Sequence, residues 1–314
     1  MFVRNFAVHS CEFIRAHAHS QEHFVPNARR VIMRIGINGA SGQLGKAVLS
    51  QLVQRGEQHS LVGVSRSPLP SAGKVEGRFG DYNKPDSLAK AYEGLDRLLI
   101  IPSADLAPGV RGNQLRAAVD AAKQAGVVHV FLMSAAGTQE AAAPSLGEAY
   151  WVGEQALVSS GLRWTILRMN YYAESMADEI NMSLAGGMLA GLGDERVAFV
   201  SRDDVAAAAA GALLGEEHEG AIYNLTGPVT ISGPERAAIA SESVGKPVSY
   251  VSLTAGQLRA GLAQAGLPEL ILDAMTEIKT SFITGKFDIV TGDVERLSGR
   301  PARPLRDILA ARLA

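Results

Sequence analysis

Residues Arg34 to Gly45, RIGINGASGQLG, carry the pattern with the clearest chemistry in this chain. Gly39, Gly42 and Gly45 fall in a G-x-x-G-x-x-G spacing, which lets the backbone turn sharply, approach a pyrophosphate near Gly42 and pack helix on strand at Gly45. An apolar run precedes them, and the amphipathic run Ala47, Val48, Leu52 and Val53 follows. Phosphate oxygens would sit over the first turn of a helix opening near Gln43, where unpaired N–H groups and the positive dipole end favour anions. Ser41, Gln43 and Leu44 complete the expected dinucleotide loop. A nucleotide triphosphate loop does not fit: it needs four residues between its glycines and a Lys-Ser/Thr pair, whereas five separate Gly39 from Gly45 and Lys46 is followed by Ala47.

The cofactor class follows from what surrounds that loop. A chain that prefers NAD usually offers an acid at the end of the second strand for the adenosine ribose. Here no Asp or Glu occurs between Glu57 and Glu76, while Arg66 directly follows the strand Ser60 to Ser65 and is suited to a 2′-phosphate. NADPH is therefore expected, with NADH possible. Asp81 and Tyr82, beyond a third strand at Val75 to Phe79, fall where adenine would lie, although Asp81 also suits a turn or a helix cap.

These residues need a scaffold, and the alternation of strands and helices supplies a Rossmann-type doubly wound parallel sheet. The remaining strands are read at Arg97 to Pro102, Val127 to Met133, Trp164 to Arg168 and Ala221 to Leu225. Helices are read at Pro85 to Tyr92, Gln114 to Ala125, Glu148 to Ser160 and Asp203 to Leu214, then at Ser232 to Gly245, Leu258 to Ala265 and Glu269 to Thr284. Three segments are expected: an N-terminal extension over 1–32, a dinucleotide domain over 33–170, and a smaller C-terminal α/β lobe over 171–314 with some segments returning to the sheet.

Composition narrows the partners. A net charge of −2 with no basic tract argues against nucleic acid or an anionic membrane, and the longest small-apolar stretch, Val205 to Leu214, is too short and alanine-rich to span one. Cys11 is the single cysteine, so no intrachain disulfide or cysteine metal cluster can form, in keeping with a reducing, cytoplasmic setting. The first 32 residues hold four of the seven histidines, including His17 and His19, without ligand spacing or a sustained period. They read as a flexible extension, with Met33 as the natural start.

With the loop, Arg66 and Gly80-Asp81-Tyr82 in place, the chain resembles the NmrA-like branch of the atypical short-chain dehydrogenase/reductases from Met33 to its end. Further matching stretches are Ala121 to Val127, Ser160 to Arg168, Tyr223 to Pro228, Gly245 to Val248 and Leu297 to Pro301. Within the branch it looks most like bacterial NAD(P)H:quinone oxidoreductases and triphenylmethane dye reductases, notably through Gly80 to Leu88. The resemblance implies hydride transfer from a nicotinamide to a small-molecule acceptor without flavin or metal; a homodimer stays open. The branch also contains regulators that bind the dinucleotide without turning it over, so an NADP(H)-sensing role is the alternative.

A standard short-chain dehydrogenase uses Tyr-x-x-x-Lys for proton exchange. No tyrosine here has lysine four residues on; Tyr150 comes nearest in position and is followed by Glu154. That departure suits a quinone or a cationic dye, for which hydride transfer needs mainly proximity and protons can come from water. On this reading the nicotinamide and acceptor meet near Ser134, Ala135, Tyr150, Asn170, Tyr171 and Tyr172, with Pro102 and Ser103 at the end of the fourth strand on the cofactor side. Tyr150, Asn170 and Tyr172 are the expected reaction-site residues, and Tyr171 and Tyr172 either stack on a planar acceptor or cap the core. No Gly-x-Ser-x-Gly elbow occurs, and His59, His129 and His218 form no triad.

Overall fold

A computed structural model describes residues 32–313 except 57, 68–72 and 184–185. The expected extension, with Cys11, His17 and His19, lies outside them apart from Ile32. In chain order the first half contains β1 (Arg34–Asn38), α1 (Gln43–Arg55), β2 (Ser60–Ser65), β3 (Val75–Phe79), α2 (Pro85–Tyr92), β4 (Arg97–Ile100), α3 (Val110–Gln124), β5 (His129–Ala135), α4 (Leu146–Val158) and β6 (Arg163–Met169). There follow α5 (Ala173–Ser183), β7 (Met188–Gly191), β8 (Arg196–Val197), α6 (Arg202–Leu214), β9 (Ala221–Leu225) and β10 (Ile231–Ser232). The chain continues through α7 (Gly233–Val244), β11 (Ser249–Ser252), α8 (Ala255–Gln264), α9 (Glu269–Ile283), α10 (Asp293–Ser298) and α11 (Leu305–Leu313).

Seven strands form one parallel sheet in the order β3-β2-β1-β4-β5-β6-β9, a Rossmann-type arrangement with its topological switch between β1 and β4. Its central strands are apolar almost throughout, because helices cover both faces. One face packs on α1, α6 and α10 through Val48, Leu52, Val205, Ala209 and Leu297; the other packs on α2, α3 and α4 through Leu88, Leu115, Val119 and Leu157. The alanines of α6 let it lie close to α1, and Ser201 and Asp204 fix its start, Ser201 accepting the Asp204 N–H. A third cluster, Met176, Ile180, Phe199, Ile239, Phe282 and Leu309 among its members, is drawn from the second half of the chain. β9, α6 and α10 come from the second half of the chain yet lie with the sheet.

Three differences from the sequence reading matter for the site. Helix α3 starts at Val110 rather than Gln114, because Gly109 takes a left-handed conformation (φ 73°) that turns the chain into the helix four residues earlier. Strand β5 runs to Ala135, two residues beyond the expected end, since the parallel ladder with β6 continues through Ser134↔Arg168 and Ala135↔Met169. The third is in the second half of the chain, where α5 and the β7/β11 pair were not anticipated; β11 is short, half-exposed and lacks a clean alternation.

Candidate active site

The glycine loop is built outward from β1. Buried Asn38 accepts the Gly39 N–H on Oδ1 (3.0 Å) and donates its Nδ2 to the Tyr92 hydroxyl, while the Gly39 and Ala40 N–H groups both donate to the Val64 carbonyl of β2 (3.0 and 3.1 Å). Gly39 is left-handed (φ 85°). A Cβ on Gly45 would lie 2.3 Å from the Gly39 carbonyl oxygen and 2.8 Å from the Ala40 Cα, so helix and loop close here only without a side chain. Helix α1 opens at Gly42 with no side-chain cap and no acid in its first turn, whereas α4, α6, α7 and α8 are capped by Ser145, Ser201, Ser232 and Thr254. An uncapped, acid-free helix start above the switch of a parallel sheet fits a pyrophosphate.

Around it lies a cleft of about 460 Å³. Gly39, Ser41, Gly42, Gln43, Leu44, Gly45, Arg66, Asp81, Tyr82, Pro102 and Ser103 all line it. Arg66 is exposed at the end of β2 and, among the described residues, makes no hydrogen bond or ion pair. The Asp81 carboxylate accepts the Asn83 N–H (3.0 Å), so it shapes the turn as well as lining the cleft. The Tyr82 hydroxyl donates to the Ile101 carbonyl (2.5 Å), and burial pushes its pKa upward. Asn38, Asn83 and Gln114 were not singled out in the sequence. Gln114 donates to Asn83 Oδ1 (3.0 Å) and accepts the Ser103 hydroxyl (2.5 Å), tying the β3 and β4 loops to α3. The Pro108-Gly109 pair ahead of α3 was the one signal that the helix began before Gln114.

The cleft ends at Asp105. From Leu106 onward a second cavity, of about 370 Å³, continues along the same edge over the ends of β5 and β6. Its walls are mostly apolar: Leu106, Met169, Ile271, Ala274, Met275, Ile278 and Phe287, with the rings of Tyr150, Tyr171 and Tyr172. Ala135 stands in this wall rather than in the cofactor cleft. The Tyr150 hydroxyl faces Arg111 Nη1 at 3.5 Å, and the guanidinium carbon sits 5.5 Å from the tyrosine ring centroid. Glu277 of α9 accepts the Leu146 and Gly147 N–H groups (both 2.9 Å) at the start of α4, clamping the roof onto the sheet domain.

The other expected residues divide by what their polar atoms already do. The Tyr171 hydroxyl donates to Glu179 (2.6 Å), which also pairs with Lys279 (2.6 Å); burial, then the Glu179 charge, pushes the phenol upward. The Tyr172 hydroxyl points at the Met169 sulfur (2.9 Å), and burial raises its pKa well above the ordinary range. Both phenols are held in their neutral form, so both enter the cavity wall as uncharged rings. Asn170 is buried, its Nδ2 donating to the Phe287 carbonyl (3.1 Å) and its Oδ1 accepting the Tyr171 N–H (2.7 Å). It positions the tyrosine pair and Phe287.

Ser134 requires a correction. Expected beside the nicotinamide, it is fully buried and lines neither cavity, because successive strand residues face opposite sides and only Ala135 faces the cleft edge. Its hydroxyl donates to Glu154 (2.5 Å), which is 2% exposed and bound twice by Arg168 of β6 (2.9 and 2.6 Å). Glu154, at the position where a lysine would complete a tyrosine–lysine dyad, thus belongs to a helix–sheet ion pair and lines neither cavity. His129 stacks on Phe131 (4.3 Å), and burial lowers its pKa to about 4, so it is a neutral core residue.

Among the described residues no group of three or more His, Cys, Asp or Glu is placed to hold a metal, and no helix is long and apolar enough to cross a membrane. The model of the NAD(P)H-binding family matches residues 39–216. Quinone oxidoreductase 2 of Escherichia coli is 30% identical over 87% of this chain and 96% of its own length. NAD(P)H azoreductase of Xenophilus azovorans is 32% identical over 76% and 83%. The structure of Citrobacter sp. triphenylmethane reductase complexed with NADP(H) superposes with a TM-score of 0.79 at 27% identity, over 90% of this chain and all of that one. The uncapped glycine loop, the switch-point cleft and this family match converge: the chain belongs to the NAD(P)H-binding family, in its NmrA-like branch, and is an NAD(P)H-dependent oxidoreductase.

Proposed function

We propose that this oxidoreductase passes hydride directly from NADPH to a quinone or similar conjugated acceptor, with no flavin or metal between them. The observation that carries this reading is the apolar, aromatic-walled cavity that takes over where the dinucleotide cleft ends, at Asp105 and Leu106. A cavity of that size and lining suits a planar acceptor better than a polyhydroxylated one, which would leave its hydroxyls unpaired. The names of the similar proteins, reductases of quinones, azo compounds and triphenylmethane dyes, are in keeping with it. When bound, the dinucleotide supplies the hydride. Gly39 to Gly45 and Arg66 hold its phosphates, Ser103 and Tyr82 wall its cleft, and Asn170 sets the Tyr171–Tyr172 segment beside the acceptor. Tyr150 offers a hydroxyl within the acceptor cavity that no core acceptor has taken up. The roof formed by α9 excludes water from most of the acceptor's surface.

Two substitutions test the two halves of the site. Ala274→Phe fills the acceptor cavity, and KM for a small benzoquinone is expected to rise about tenfold or more while NADPH affinity stays within about twofold; equal effects on both would place the acceptor elsewhere. Arg66→Ala removes a charged hydrogen bond of about 1.5–3 kcal/mol to a 2′-phosphate, so NADPH binding should weaken roughly 10- to 100-fold with NADH little changed. Equal losses for both dinucleotides would remove Arg66 from the assignment.

A further inference from the structure

Resting on the reading above, we infer that Arg111 forms an oxyanion subsite in the acceptor cavity: its guanidinium binds the acceptor's carbonyl oxygen and stabilises the negative charge that develops there. Arg111 is only 7% exposed, yet its Nε has no hydrogen-bond partner, and among the described residues it takes part in no ion pair. Among the described residues its single polar contact is the 3.5 Å approach of Nη1 to the Tyr150 hydroxyl, at the outer limit of a hydrogen bond. A buried cation left this short of partners costs several kcal/mol unless something else satisfies it. The other charged residue in the cavity wall, Glu277, has both carboxylate oxygens occupied by the α4 N–H groups. Arg111 is thus the one charge in the lining with binding capacity to spare.

Its place in the fold strengthens the case. Arg111 is the second residue of α3, a helix that begins at left-handed Gly109 with no side-chain cap and no acid in its first turn. A cation at a helix start opposes the dipole, so helix stability does not explain the residue. The guanidinium carbon lies 5.5 Å from the Tyr150 ring centroid, a cation–π contact that helps hold it in the cavity wall.

The chemistry follows from the balance of the reaction. The acceptor takes hydride, with its electron pair, from reduced nicotinamide, which is left oxidised. The pair displaced from the acceptor's conjugated C=O comes to rest on oxygen as an anion, and a proton from water completes a two-electron reduction to the hydroquinone or enol. A neutral carbonyl gains more from Arg111 as it becomes an anion than it did in the ground state, and such an interaction raises kcat. A cationic triphenylmethane dye accepts hydride on carbon and loses its charge without forming an oxyanion. For that acceptor the guanidinium is only a repulsive neighbour.

The test compares Arg111→Met and Arg111→Lys with the unaltered protein, each with NADPH, on a benzoquinone and on malachite green. A parallel calorimetric titration uses 2,4-dinitrophenolate and the NADP⁺-loaded protein. For Arg111→Met the expected results are a loss of roughly 100-fold or more in quinone kcat, a several-fold faster dye reduction, and dinitrophenolate binding weakened at least tenfold. Arg111→Lys should recover part of the quinone rate and of the anion binding. Equal falls for quinone and dye, or dinitrophenolate binding that survives in Arg111→Met, would overturn the subsite. If the unaltered protein reduces neither acceptor, the proposed function fails, and the dinitrophenolate titration still decides for or against the anion site at Arg111.

Discussion

Gly45→Ala is expected to weaken NADPH binding at least 100-fold and to lower thermal stability. The added methyl carbon would stand 2.3 Å from the Gly39 carbonyl oxygen and 2.9 Å from its carbon. These are backbone atoms, pinned in turn by the Gly39 and Ala40 N–H bonds to the Val64 carbonyl, so no side-chain rotation relieves the overlap. Either α1 lifts from the sheet or the loop shifts by about 1 Å, and both misplace the amides that receive the pyrophosphate. Gly42→Ala separates the two roles. Its methyl would lie 3.3 Å from the Gly39 oxygen, a tight but tolerable contact, on the surface where the phosphates come closest. That variant should fold with Tm close to that of the unaltered protein and still bind NADPH more than about tenfold more weakly. Calorimetry and thermal melts on both variants check this; a Gly45→Ala protein that binds normally would show that the loop does not hold the dinucleotide.

The second large effect concerns Glu154. Removing it leaves Arg168, 26% exposed, facing a buried pocket without its partner, and frees the Ser134 hydroxyl as well. Breaking a buried pair by deleting one member costs about 3–5 kcal/mol; the partial exposure of Arg168 puts Glu154→Ala at the lower end, about 3 kcal/mol. The Glu154 hydrogen bond holds the Arg168 guanidinium above its ordinary pKa, the direction expected of a pair that stabilises the fold. Glu154→Gln, which keeps the shape and an acceptor oxygen, should lose roughly half as much. Turnover per folded molecule is expected to stay within about threefold and its pH profile unmoved, because Glu154 reaches neither cavity. Denaturant melts and a pH–rate profile decide the matter. A displaced profile with unchanged stability would instead make Glu154 a partner of Tyr150 in proton exchange.

Much of this architecture was legible because it is local. The glycine spacing, the missing acid after β2, the proline at the start of α2 and the serine cap of α7 each act within a few residues, and the strands of a parallel sheet are nearly unbroken apolar runs. Much of the lining of the switch-point cleft was therefore readable, down to Arg66 and Ser103, though not Asn38, Asn83 or Gln114. The acceptor cavity was not. Its roof comes from α9, over a hundred residues beyond Tyr150, and Ala274, Met275 and Ile278 look in sequence like any apolar helix stripe. Arg111 was hidden by the late reading of the α3 start, which left it in a loop. Ser134 was misplaced because strand alternation can be assigned only once the end of β5 is known. Asn170 was rightly located at the sheet edge, yet nothing local tells that its amide is committed to Phe287, 117 residues away.

The central claim is direct hydride transfer from NADPH to a conjugated acceptor, and the most direct measurement is NADPH oxidation by the purified, flavin-free protein across a quinone panel. Each run is repeated with NADPH deuterated at the transferred position. The account predicts turnover on the order of 1–10³ s⁻¹ for at least one quinone, slowed by deuterium because the C–H bond breaks in the transfer, with no response to added flavin. Tight NADPH binding without oxidation by any acceptor would contradict it and leave a dinucleotide-sensing regulator as the remaining account.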